Sequence, residues 1–293
     1  MTGRPTTTEA EIARIDVDGR AVEYLDTGPP VGPALVLLHG DGETARDWRW
    51  VAPALADAGH RVIAPSLPGH GGSVPPASYA MEDLAVWLAR FLDAVGIAAA
   101  TVGGNSIGGL IAIHLALGQP SRVQRLLLVD SAGLGQTVNP LLAAETLPGA
   151  GEAAIGMTLF PGGPQLRAFT RAGNLFAQPW RVPAGWWSDQ FRWGGNPVLL
   201  DASVACKRAI MNGTGQHHVV LDRLGELNVP TLVLWGLLDT IVPVVHGRSA
   251  ARRLSDGRLE VLPGCGHVPH VESPKAFLAP VLRFLEQTKA AAR

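Results

Sequence analysis

The chain has 293 residues, 47% of them hydrophobic and 17% charged, with a formal net charge of −1. That length and composition suit one large globular domain with a substantial core, and they exclude a disordered chain. The balanced charge, without any run of Lys or Arg, argues against nucleic acid as a partner.

In chain order, residues 1–10 are polar and threonine-rich and lack the apolar stretch of a signal peptide. No apolar run approaches the length of a membrane span. Residues 11–17 and 20–27 alternate apolar and polar side chains about Asp18 and Gly19, the pattern of a hairpin with a tight turn. Residues 34–38 form a continuous apolar run that ends in His39, Gly40, Asp41 and Gly42, a strand entering a glycine-rich loop. Residues 47–58 read as a helix with Trp48, Val51 and Leu55 on one face. A second buried strand at 61–65 leads into a loop at 66–73. Residues 81–95 are amphipathic, with Leu84, Leu88, Phe91, Leu92 and Val95 as the apolar stripe.

The stretch that follows organises the chain. A short apolar strand at 98–102 is predicted to run into Gly104, Ser106 and Gly108, and a helix at 107–117 follows. Gly-x-Ser-x-Gly between strand and helix fits a nucleophile elbow, where a sharp turn needs glycines because backbones approach too closely for a Cβ. A strand at 125–129 comes next, and then strand pattern disappears from 135 to 223. It resumes at 231–235 and 259–262, and a helix at 274–287 closes the chain. Strands alternating with helices predict a parallel sheet covered on both faces and entered by an antiparallel hairpin. The stretch 135–223 is too long for a loop and reads as a helical lid inserted between two strands. The expected organisation is a core of residues 1–134 and 224–293 with the lid at 135–223.

A serine hydroxyl needs a histidine to take its proton, and that histidine needs a carboxylate to fix its tautomer. Both follow in sequence: Asp239 just beyond the strand at 231–235, and His267 just beyond the one at 259–262. They would therefore sit at the carboxyl edge of the sheet, where ligands bind in open α/β sheets. Asp130 also follows a strand and is the rival acid. The Trp235, Gly236, Asp239 context favours Asp239, which leaves Asp130 as a cap for the turn after it. His270 competes with His267 by proximity alone. His39 is read as holding its own loop, His70 as a solvated loop residue and Cys265 as packing. Cys206 and Cys265 give no disulfide framework and no metal pattern, so a reducing, cytoplasmic setting is expected, with no metal and no cofactor. Gly40, Gly42 and Ala45 also fit a dinucleotide pattern, but the strand at 61–65 supplies no acid for a ribose.

On these motifs the sequence resembles the α/β-hydrolase superfamily over nearly its whole length. His39 and Gly40 match the oxyanion loop, 104–108 the elbow, 235–243 the acid loop and 266–274 the histidine loop. The resemblance implies a mostly parallel, doubly wound eight-stranded sheet with an inserted helical lid. It also implies Ser106, Asp239 and His267 as the catalytic triad, with the backbone N–H groups of Asp41 and Ile107 as the oxyanion hole. Relatives that break carbon–halogen bonds or open epoxides carry aspartate where this chain has Ser106, so acyl transfer is expected. The 104–109 and 131–135 stretches are similar to meta-cleavage-product hydrolases, which cut a carbon–carbon bond in dienoic keto acids. In that family a lid arginine followed by a bulky residue binds the substrate carboxylate, and Arg192 with Trp193 could match it. The family's tryptophan after the catalytic histidine is Val268 here, and its Gly/Pro-rich oxyanion loop is replaced by Asp41 and Gly42. Gly42, Asn105, Arg192, Trp193 and Val268 are the residues expected against the substrate.

Three functions follow as alternatives: a serine esterase or lactonase on a small apolar substrate, a carbon–carbon hydrolase, and a non-enzymatic ligand-binding protein on the same scaffold. The lid aromatics (Trp180, Trp186, Trp187, Trp193 and four phenylalanines) would mostly dock the lid and would also suit an aromatic acyl group. The expected partner is a small molecule, with neither membrane nor nucleic acid. Homo-oligomerisation is left open.

Overall fold

The computed structural model describes residues 11–290; the polar segment 1–10 lies outside them. The opening hairpin pairs β1 (Glu11–Val17) with β2 (Arg20–Thr27) in antiparallel register. Its turn holds Asp18 at φ 53° and Gly19 at φ 77°, and two such residues match the twist of a hairpin. The remaining strands of the sheet are β3 (Ala34–Leu38), β4 (Arg61–Pro65), β5 (Ala100–Asn105), β6 (Val123–Val129), β9 (Thr231–Gly236) and β10 (Gly257–Leu262). The eight run in the order β1-β2-β4-β3-β5-β6-β9-β10, and every pair from β4 to β10 is parallel. No helix among the described residues is long and apolar enough to cross a membrane.

Central strands are buried on both sides, and alternation shows where each side chain goes. Leu126 and Leu128 of β6 join one apolar layer, while Leu127 and Val129 join the other. On the first face lie α2 (Met81–Ala94), α3 (Ile107–Gly118) and α9 (Val245–Arg253). On the second lie α1 (Ala52–Asp57) and α11 (Pro274–Ala290), with Trp48, Phe277 and Phe284 between. The helix α3 is buried all round from Ile107 to Ala116, so each large aliphatic side chain there contributes about 1.5–3 kcal/mol.

The helix predicted at 47–58 is divided. A 3-10 segment (Ala45–Trp50) precedes α1, and Pro53 sits in the first turn of α1, where its missing N–H costs nothing.

Between β6 and β9 the chain inserts α4 (Pro140–Ala144), α5 (Ala150–Leu159), α6 (Gly163–Leu175), α7 (Ala184–Trp193) and α8 (Pro197–Ile210). A two-stranded hairpin of β7 (Met211–Asn212) and β8 (Gly215–Gln216) then leads back toward the sheet, where sequence pattern had shown no strand. The short α10 (Pro269–Glu272) lies between β10 and α11.

Candidate active site

Four strand ends at one edge of the sheet build the site. Ser106 follows β5 at φ 53° and ψ −119°, a strained conformation for a residue with a Cβ. The turn closes only because its neighbours are glycines. A Cβ on Gly104 would lie 2.4 Å from the backbone of Gly108, and one on Gly108 would lie 2.6 Å from the Leu38 carbonyl. Ser106 thus stands at the N-terminus of α3, where backbone N–H groups and the helix dipole favour negative charge.

His267 follows β10, and its Nδ1 lies 2.7 Å from Oδ2 of Asp239, which follows β9. Both side chains are buried. The other oxygen of Asp239 accepts from the Ile241 and Val242 N–H groups at 2.7 and 3.0 Å. Asn105 joins two of these loops, its amide donating to the His267 carbonyl at 2.8 Å. The inserted helices reach the same loop. The His267 N–H donates to the Leu175 carbonyl at 2.7 Å, and the Gln178 N–H donates to Glu272, whose other oxygen accepts from Gly266.

The loop after β3 is bolted from below by His39. Leu67 N–H donates to its Nε2 at 2.8 Å, which leaves Nδ1 to donate to the Gly40 carbonyl at 2.7 Å. Burial and the neighbouring His70 push His39 down to about 3, so the ring is neutral. His70 is not the solvated residue expected from its glycine-rich setting. It is fully buried, with its ring centroid 5.2 Å from that of His39 and its Nε2 3.9 Å from the Asp41 carboxylate. His270 is buried as well, stacked on Trp48 at 4.0 Å, and burial pushes it down to about 3. Asp130 does not cap the turn after it. Its Oδ1 accepts from Gly236 N–H at 2.8 Å, on the neighbouring strand β9.

A cavity of about 300 Å³ opens above Ser106 and brings together Asp41, Asn105, Ser106, His267 and Val268. Asp239 stands behind His267, and Ile107 is the first residue of α3. Three expected substrate contacts fall elsewhere. Arg192 is exposed and lies over the Trp193 ring, 5.3 Å from its centroid; neither residue lines the cavity. Gly42 is buried at φ 69° beneath Arg167 and Arg171, where any Cβ would meet their guanidinium groups within 3 Å. None of the Trp and Phe side chains of the inserted helices lines the cavity; Leu141, Ile155, Met157, Leu166 and Val204 do.

The sequence reading missed the charged end of this cavity. Arg171 is ion-paired with Glu43 and also donates to the Asp41 carbonyl at 2.9 Å. Glu43 additionally accepts from Trp186 Nε1 and Gln190, so the β3 loop is tied to α6 and α7. Lys207 pairs with Glu145 and lies 3.7 Å from Asp41. Arg167 has no carboxylate within ion-pair distance among the described residues, only Gln190 Oε1 at 3.4 Å. Burial, reinforced by Arg171, lowers it to about 10, still fully charged at neutral pH. The i, i+4 spacing of Arg167 and Arg171 on one amphipathic helix was the available signal.

Residues 35–280 match the alpha/beta hydrolase family. The chain belongs to that family. This alpha/beta hydrolase is 33% identical over 275 residues to the dihydrolipoyllysine-residue acetyltransferase component of an acetoin cleaving system from Pseudomonas putida, across 94% of this chain and 69% of that one. It is 31% identical over 269 residues to the 2-hydroxy-6-oxo-6-phenylhexa-2,4-dienoate hydrolase of Burkholderia cepacia, across 87% and 88% of the two chains. Among solved structures it is similar to a membrane phospholipase A described as a bacterial virulence factor, with a TM-score of 0.81, 26% identity and coverage of 96% and 87%. Relatives named as hydrolases make this alpha/beta hydrolase an enzyme.

Two groups among the described residues of this alpha/beta hydrolase bring potential metal donors within 4.8 Å of one another: Asp130 with Asp239 and His267, and Glu82 with His114 and His218. In the second, the two Nε2 atoms face each other at 2.8 Å, a distance that one shared hydrogen accounts for.

Proposed function

We propose that this alpha/beta hydrolase is a serine hydrolase that forms an acyl-enzyme with a small, largely apolar ester or lactone. The observation that carries the reading is Ser106, held on a strained turn in the same cavity as His267, whose Nδ1 is fixed by Asp239 at 2.7 Å. Ser106 Oγ attacks the carbonyl carbon while His267 Nε2 takes the hydroxyl proton. The Asp41 and Ile107 N–H groups hold the developing oxyanion. His267 returns the proton to the leaving oxygen, and water then repeats the sequence on the acyl-enzyme. Aliphatic walls from α5 and α6 suit an apolar acyl or alcohol portion.

Arg167 keeps a second reading in view. A half-buried guanidinium without a carboxylate partner is costly, and a substrate anion would complete it. An acidic substrate also fits a carbon–carbon hydrolase, as in the Burkholderia relative, with Arg167 in the part first assigned to Arg192. Activity on a chromogenic short-chain ester against activity on a vinylogous diketo acid separates the two.

The central test is Ser106→Ala with a serine-directed phosphonate. Turnover should fall by several orders of magnitude, and wild type should gain one adduct, on the Ser106 peptide. Near-normal turnover in the variant, or an adduct elsewhere, removes Ser106 as nucleophile.

A further inference from the structure

A carboxyl group outside the proposed triad lies directly against it. Asp130, at the end of β6, is fully buried and takes a φ of 45°, a conformation that persists only where the surroundings over-determine it. Its Oδ1 accepts from Gly236, while its Oδ2 is buried without a donor. One polar atom from each of Asp130, Asp239 and His267 lies within 4.8 Å of the other two. Two carboxylates that close, out of water, do not both ionise.

The donors decide which one carries the charge. Asp239 receives three N–H groups, from His267, Ile241 and Val242, whereas Asp130 receives one. The negative charge therefore belongs on Asp239 and the hydrogen on Asp130, whose orphaned oxygen then becomes a donor. The surroundings agree. Burial first, and then the Asp239 charge, push Asp130 well above the usual carboxylate range, with Glu272 adding to the effect. Cys265 nearby is a neutral thiol, pushed up to about 11 by burial, and burial pushes His246 down against the opposing pull of the Asp239 charge.

We propose that Asp130 is a positioning residue: it stays protonated at neutral pH and donates its carboxyl hydrogen to Asp239, fixing the orientation in which Asp239 faces His267. The donated hydrogen bond also tempers the negative charge on Asp239. That weakens its hold on a His267 imidazolium. This role rests on the reading of Asp239 as the triad acid.

Infrared difference spectra of wild type against Asp130→Asn, taken without substrate at about pH 8, test the protonation directly. One protonated-carboxyl band should disappear; loss of an ionised carboxylate band instead would overturn the proposal. Because no turnover is involved, this outcome is separate from the hydrolase reading, which fails on its own if Ser106→Ala stays active. The second arm is the pH–rate profile. Asn accepts from Gly236 and donates to Asp239 as the neutral acid does, so Asp130→Asn should leave the acid limb in place. Asp130→Leu, of similar volume, removes the donor. Its acid limb should move to higher pH and kcat should fall about tenfold with KM little changed. Equal losses in both variants with an unmoved limb would make Asp130 a packing residue and end the proposal.

Discussion

His270 lies three residues from His267 and differs from it completely in environment, which makes its replacement quantitative. The ring stacks on Trp48 and is fully buried, with its centroid 5.8 Å from that of Phe277. In the unfolded chain it would titrate near 6.5, whereas in the folded protein it does so at about 3. Between those values the unfolded state binds the extra proton, so stability is lost as pH falls, by about 1.4 kcal/mol per pH unit. From about pH 7.5 to about pH 5 the cost through this one ring is about 2 kcal/mol. His270→Phe keeps the stack and cannot protonate. Its unfolding free energy in urea, followed by tryptophan fluorescence, should fall less than that of wild type over this interval, by about 2 kcal/mol. His39 contributes with the same sign in both proteins and cancels. Parallel stability–pH curves would refute the assignment of His270 as a ring held neutral by the core.

Asp239→Asn should stay folded and lose about four orders of magnitude in kcat, the scale seen when a triad carboxylate is neutralised, as read by steady-state turnover. Arg167→Gln should lower kcat/KM for an acid-bearing ester by about 10- to 100-fold and spare its neutral analogue, whereas Arg192→Gln on the outer face should change neither. Glu43→Ala strands the half-buried Arg171 charge and should cost about 3 kcal/mol in urea unfolding.

Sequence pattern located the strand-end loops because each motif has a local cause: glycines where backbones touch, and a strand that stops just before a candidate site residue. Strand limits were within a few residues. The largest shift is at β5, expected at 98–102 and found at Ala100–Asn105. Gly104 reads as a turn residue from the elbow motif, yet the strand continues through it to Asn105; Gly103 has to be glycine because a Cβ there would lie 2.7 Å from Leu127 on β6. The single helix expected at 47–58 failed at Pro53, a residue whose meaning depends on which turn it occupies. The substrate end of the cavity was the least legible. Whether Arg167 or Arg192 lines the cavity that holds Ser106 depends on how α6 and α7 dock, and each helix offers apolar residues on more than one side. Phe160, Phe169 and Trp180 are in fact exposed at 71%, 63% and 79%, so their hydrophobicity did not reveal the buried face.

The fastening of His267 N–H to Leu175, and of Gln178 to Glu272, bears on how new specificities could arise on this scaffold. Within α4–α8, the parts before residue 175 and after residue 178 can be exchanged without disturbing these two bonds. The four residues between them act as a tether from the cavity-lining helices to the loop that carries His267. A transplanted segment that lacks them would bring its own pocket and leave His267 without its backbone anchor. Recombination that preserves this tether should yield altered substrate range, and recombination across it should yield well-folded but slow enzymes.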